Sequence, residues 1–202
     1  EHKRANPEGM QYSAFCDRYR AWAKTQDLVL RQPHDPGAAM YVDYAGETAE
    51  ITNPETGEIT RVKLFVAVLG HSNLTYAEAT RGETTSDWLS GQVRALDYFG
   101  GVPKKIVPDN PKALVTRASR YDPDLNPSYQ EFALHYSVAI VPARVRQPRD
   151  KAKVETAVQV AERWVLARLR NQVFFALSNL NGAISVLVEE MNEKPFQKLP
   201  GS

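Results

Sequence analysis

Asp43 inside MYVDYAG, Asp109 inside KKIVPDNPK and Glu155 inside PRDKAKVE are the residues of this chain whose type and setting could do chemistry. The first two stand at the ends of apolar, strand-like runs and the third in the opening turns of an amphipathic helix, so a fold could gather three carboxylates that lie 66 and 46 residues apart. Carboxylate oxygens suit hard cations such as Mg²⁺, which keeps much of its water and takes only one or two protein carboxylates per ion. Two such ions about 3.5–4 Å apart can hold both the attacking and the leaving oxygen of an in-line displacement. The chemistry expected of Asp43, Asp109 and Glu155 is therefore phosphodiester cleavage or exchange on two Mg²⁺ ions, with Mn²⁺ as a substitute.

Each acid has an ordinary alternative, because the chain carries 24 Asp and Glu residues and most carboxylates are solvated surface. Asp43, between Val42 and Tyr44, would sit on a pleated, half-buried strand, a poor place for an uncompensated charge. Asp109 lies in Pro108-Asp109-Asn110-Pro111, which is equally good turn chemistry, and residue physics alone leaves both readings open. Glu155 could be an exposed helix residue, and Glu162, two turns later on a similar face, is its nearest rival. Just before Glu155, Arg144, Arg146, Arg149, Lys151 and Lys153 face only Asp150. Such a run is commonly a solvated face; beside a metal site it would meet phosphate, which makes Arg146, Arg149, Lys151 and Lys153 the candidate DNA contacts. Lys151, Glu155 and Gln159 share one side of the helix, whereas Val154, Val158, Ala161 and Val165 form its core stripe. Asp150, a short acceptor before the helical run, is the expected N-cap.

The elements that must carry these residues follow from hydrophobic period and punctuation. Met10–Ala23 spaces Tyr12, Phe15, Cys16, Tyr19 and Trp22 as one face of a helix, and the Pro- and Gly-containing stretch to Ala39 reads as a linker. Three strands follow in meander: MYVDYAG with a short EIT segment, RVKLFVAVLG after the Asn53–Gly57 turn, and LTYAEAT. A helix from Thr84 to Phe99 ends at Gly100-Gly101. A strand over Lys105–Val107 delivers Asp109, a helix over Pro127–Tyr136 precedes a strand at Val138–Val141, and the last helix of the series opens near Asp150. This order predicts a mixed five-stranded α/β sheet flanked by helices.

Composition narrows the function classes. At 202 residues and 43% hydrophobic content the chain can bury a sizeable core, and a net charge of +1 requires any DNA affinity to come from local asymmetry. The single Cys16 excludes an internal disulfide and a multi-cysteine zinc site, and its expected role is packing. His2, His34, His71 and His135 show no metal-ligand spacing. Neither a P-loop nor a nucleophile-elbow sequence occurs. With no membrane-length apolar run and no signal-like N-terminus, a cytoplasmic protein is expected.

VDYAGET, PDNPKALV and QPRDKAKVE resemble the catalytic core of IstA-type transposases, insertion-sequence enzymes of the retroviral-integrase, RNase H-like superfamily. The resemblance runs from about Met10 to the end of the chain and puts Asp43, Asp109 and Glu155 on that family's Asp-Asp-Glu triad. One departure is visible: the usual Arg-Pro before the Asp-Lys stretch reads here Arg146-Gln147-Pro148-Arg149. The resemblance implies an RNase H-like core over 39–175, an upstream helix and linker over 1–38, and a C-terminal helix with the start of a linker over 176–202, cut from a longer protein. It implies two-metal 3′-end cleavage and strand transfer between transposon-end and target DNA, a homo-oligomer on that DNA near the nucleoid, no membrane association, and a separate AAA+ ATPase partner of the IstB type. A nuclease without strand transfer and a non-catalytic DNA-binding or assembly domain are the alternatives.

Overall fold

The computed structural model describes residues 10–25, 35–109, 115–117, 124–142 and 148–194. The chain divides into two units, residues 1–33 and 34–202. The first holds helix α1 (Tyr12–Thr25), two residues later than its period suggested. Its aromatic face is real: Phe15 and Tyr19 stack at 6.2 Å, Tyr19 and Trp22 lie 5.7 Å apart, and all three rings are exposed.

The second unit is built on a five-stranded sheet in the order β3-β2-β1-β4-β7. Strand β1 (Ala39–Thr52) absorbs both MYVDYAG and the EIT segment into one 14-residue strand, with its register against β2 (Ile59–Leu69) broken between Tyr44 and Thr48. Gly46 sits at that break, as glycine in a strand interior often does at a bulge. The turn closing this hairpin is made by Asn53, whose Oδ1 accepts from the Glu55 and Thr56 N–H groups, and by Gly57 at φ 71°. Strand β3 (Thr75–Thr80) pairs antiparallel with β2, while β4 (Lys105–Pro108) and β7 (Ala139–Ile140) run parallel to β1. A two-stranded ladder of β5 (Val115–Arg117) and β6 (Asp124–Leu125), absent from the sequence expectation, lies between β4 and the next helix in the chain.

Alternation along the strands divides the apolar residues between two cores. Met40, Val42, Tyr44, Phe65, Ala67 and Ile106 face helices α2 (Thr85–Phe99) and α3 (Pro127–His135), meeting Trp88, Leu96, Tyr129 and Phe132. Tyr41, Ala45, Val62, Leu64, Val66, Val68 and Val107 face the other way, against Val158, Ala161 and Val165 and against Leu180, Ile184 and Val188. Those partners belong to helix α4 (Pro148–Ala161), its continuation through a π segment (Glu162–Leu166) into α5 (Ala167–Leu169), and α6 (Leu177–Asn192). Helix α2 is fixed at both ends: Thr84 and Asp87 form a reciprocal capping box, and Gly100 closes it at φ 68°. Helix α4 opens at Pro148, so Asp150 is its third residue and not the expected N-cap. Proline, with φ preset and no N–H to satisfy, suits the first helical position and starts the helix before the aspartate is reached.

The outer edge of the sheet is closed by side chains. Asn181 of α6 accepts from the Ala79 N–H at 2.6 Å and donates to its carbonyl at 3.0 Å. Asn192 does the same to Thr75, at 3.0 and 2.7 Å. Two amides thus stand in for the missing neighbour of β3. On the opposite side of that strand, the buried Glu78 carboxylate is held by both the Nε and Nη2 of Arg94, at 2.6 and 2.8 Å; this contact holds the Arg94 guanidinium above its ordinary pKa.

Candidate active site

The two aspartates are brought together by strand pairing. Val42 of β1 and Pro108 of β4 are parallel register partners, and the Asp109 N–H continues the ladder by donating to the Val42 carbonyl at 3.2 Å. Asp43 and Asp109 are therefore the next residues of two adjoining strands, whose axes lie about 4.8 Å apart. Both belong to the alternation that places Tyr41, Ala45 and Val107 in the core under α4, so both carboxylates are set on the α4 side of the sheet. Each is half-buried. The Tyr44 N–H donates to Asp43 Oδ1 at 2.8 Å, which fixes the orientation of that carboxylate, and Oδ1 of Asp109 is buried. Tyr44, one residue on, points to the opposite face, where burial raises its phenol well above the usual range and keeps it a neutral packing group.

Helix α4 supplies the third acid. Val158 and Ala161 turn inward to the sheet, and Glu155, three residues before Val158, is exposed on the helix flank. Glu162 lies on nearly the same line of the helix, two turns further on, since seven residues return to within about 20°. Its carboxylate has a different occupation: Oε1 accepts from the Gly46 N–H at 2.8 Å and from the Glu47 N–H at 3.3 Å. These donors lie in the part of β1 that the bulge takes out of register with β2. Sequence reasoning saw Glu162 only as a rival acid and missed this contact; Gly46 within a strand was the one local sign of a bulge needing a partner. Among the described residues, no three His, Cys, Asp or Glu side chains are grouped closely enough to hold one metal ion. The structure pairs Asp43 with Asp109 and leaves Glu155 on the helix flanking them.

Of the candidate DNA contacts, Arg146 lies outside the described residues, as does Arg144, while Arg149, Lys151 and Lys153 are placed on the first turns of α4 by backbone alone. Cys16 is on α1, a different unit from the carboxylates, and is partly exposed. Among the described residues no helix is long and apolar enough to cross a membrane.

The sequence pattern of the integrase core domain matches residues 33–148. A protein of Pseudomonas fluorescens ascribed to insertion sequence IS1162 as its transposase is 49% identical over 203 residues, covering 100% of this chain and 36% of the relative. The chain thus spans little more than a third of that relative. Among solved structures, the integrase catalytic core domain of HTLV-2, determined in complex with magnesium, superposes with a TM-score of 0.58 at 17% identity, covering 85% of this chain and 95% of that one. A chain of the simian T-cell lymphotropic virus intasome, bound to a PP2A regulatory subunit, superposes with a TM-score of 0.59 at 19% identity over 83% of this chain and 52% of its own. These two likenesses establish the RNase H-like fold expected from the sequence.

Proposed function

The chain belongs to the integrase core domain family, and from that membership we propose that it is the catalytic core of an insertion-sequence transposase of the IstA type, which cuts and rejoins DNA phosphodiesters through Asp43, Asp109 and Glu155. The observation that carries the reading is the pairing of Asp43 and Asp109 at matched steps of two adjoining strands, on the face that α4 covers. Two carboxylates half-buried side by side repel unless something positive lies between them. Their donor set is oxygen alone, which fits Mg²⁺ or Mn²⁺ and not zinc. Asp43 and Asp109 would hold such ions from the sheet and Glu155 from the helix. Bound there, two divalent ions would supply Lewis-acid polarisation of the scissile phosphate and a deprotonated nucleophile.

The protein's own contribution is position. Strand pairing and the Tyr44 N–H fix the aspartates before substrate arrives, while Arg146, Arg149, Lys151 and Lys153 would hold DNA phosphates at the entry to α4. In the first step water attacks the phosphodiester at the transposon end and frees its 3′-hydroxyl. In the second, that hydroxyl attacks a target phosphodiester and displaces the target 3′-oxygen. ATP-dependent target handling would fall to the separate AAA+ partner of the IstB type that the resemblance to IstA-type transposases implies. Self-association on DNA and a cytoplasmic site of action belong to the same proposal.

The test is substitution in the full-length transposase. Asp43→Asn, Asp109→Asn and Glu155→Gln each keep shape while removing a ligand charge, and each should nearly abolish 3′-end cleavage and joining with assembly on transposon ends retained. Full cleavage by Glu155→Gln together with an inactive Glu162→Gln would move the third ligand to Glu162. Cleavage without joining, given a 3′-hydroxyl donor and supercoiled target, would identify a nuclease instead.

A further inference from the structure

Resting on that reading, we infer that Glu162 is a positioning residue for the site: its carboxylate pins α4 to β1 at Gly46 and Glu47 and thereby sets where Glu155 stands relative to Asp43. The pin joins segments 116 residues apart in sequence. It is bonded to backbone, whose position no rotamer change can alter, and it takes two donors that the break in the β1–β2 register sets apart from the ladder.

The distances on the two sides of the pin match. From Asp43 to Gly46 is three residues of strand, about 10 Å. From Glu155 to Glu162 is seven residues of helix, about 10.5 Å along the axis. The two segments also run in the same direction. Thr156, Ala157 and Val160 border a cavity of about 580 Å³ opposite Val68 and Thr75, and Val68 is the register partner of Tyr41, so the start of α4 lies toward the start of β1 and Glu162 lies beyond it at Gly46. Going back two turns from the pin therefore brings Glu155 level with Asp43, on the same helix line. The helix changes character at this residue: Glu162–Leu166 is π-helical, with the Ala167 N–H reaching back to the Glu162 carbonyl. The π turn begins only at Glu162, so the α-helical phase between Glu155 and Glu162 is unbroken, and Val165, Leu166 and Leu169 beyond it are buried in the core.

The experiment is a Mn²⁺ titration of the full-length transposase, read both by transposon-end cleavage and by the rise in melting temperature that bound Mn²⁺ gives. Glu162→Ala should raise the Mn²⁺ needed for half-maximal rate, or lower the rate, by about 10-fold or more, as loss of a group orienting a metal ligand does. Glu162→Gln, whose amide oxygen can still accept from both N–H groups, should stay near wild type. Val188→Ala, a core truncation in α6, should lower the melting temperature without moving the Mn²⁺ curve. If Glu162→Ala does not fold, Glu162→Asp, with the same charge and a shorter reach, carries the same expectation. A Glu162→Ala enzyme with an unmoved titration and rate, while Glu155→Gln is inactive, would overturn the positioning role and leave the catalytic reading intact. An active Glu155→Gln enzyme would remove the catalytic reading first, and the pin with it.

Discussion

On the proposed reading, Asp43 trades stability for chemistry. It interrupts a strand face whose neighbours Tyr41 and Ala45 are buried, and the adjoining strand sets Asp109 beside it. Neutralising either acid removes a like-charge repulsion, so Asp43→Asn or Asp109→Asn in metal-free protein should be neutral or stabilising, by about 0.5–2 kcal/mol. Added Mg²⁺ should raise the melting temperature of wild type and not of the variants. Thermal denaturation with and without chelator checks both; equal Mg²⁺ stabilisation of all three proteins would place the ion elsewhere. Glu78 makes the opposite case. Its side chain is 8% exposed and depends on Arg94, itself 49% exposed. Removing the arginine should cost about 2–4 kcal/mol in urea unfolding, because it strands a buried carboxylate. The double variant Glu78→Gln/Arg94→Met should recover part of that loss.

At the level of elements, the asparagine clamps on β3 carry the clearest expectation. Asn181→Ala or Asn192→Ala leaves an edge N–H and carbonyl without their partner, at a cost of about 1–3 kcal/mol each, and opens a strand edge to other chains. Urea unfolding should register the loss and sedimentation velocity the self-association; an unchanged, monodisperse double variant would mean the edge is protected by other means. None of this was legible in the sequence, since each asparagine meets a backbone more than 100 residues away. What could be read was what local period dictates: the succession along the chain of the five strands of the main sheet, α2 with its Thr84 start and Gly100 stop, and the delivery of Asp109 by an apolar run. The full length of β1 was hidden because Gly46-Glu47-Thr48 looks like a turn, while the structure makes it a bulge closed from outside by Glu162. The π segment was hidden because its apolar residues fit an α-helical period as well. The β5–β6 ladder was missed because a strand as short as Asp124–Leu125 leaves no pattern of alternation.

In the second unit the sheet lies between two layers of helices, and on the proposed reading the carboxylates that would hold metal come from the sheet and from α4, which a cation of different size should reveal. Mg²⁺ and Mn²⁺ should support cleavage, whereas Ca²⁺, with longer bonds and looser geometry, should permit DNA binding with little turnover. Undiminished cleavage in excess chelator would end the metal reading. Phosphate contacts at the start of α4 can be separated from the metal by salt: each of Arg146, Arg149, Lys151 or Lys153 that meets duplex DNA should, when neutralised, reduce the slope of log K against log salt by about 0.9. The clamp on β3 also has a consequence in time. Thr75 and the Asn192 that covers it are separated by 117 residues, so at about 5–20 residues per second the ribosome spends about 6–23 s making the chain between them. Through that interval the β1–β2–β3 meander can already form, with its outer edge bare and the helix that seals it still unwritten. Nascent chains on neighbouring ribosomes of one message would meet in that state, which makes translation speed through residues 76–192 a determinant of yield, and the stretch a natural client for chaperones that hold unpaired strands.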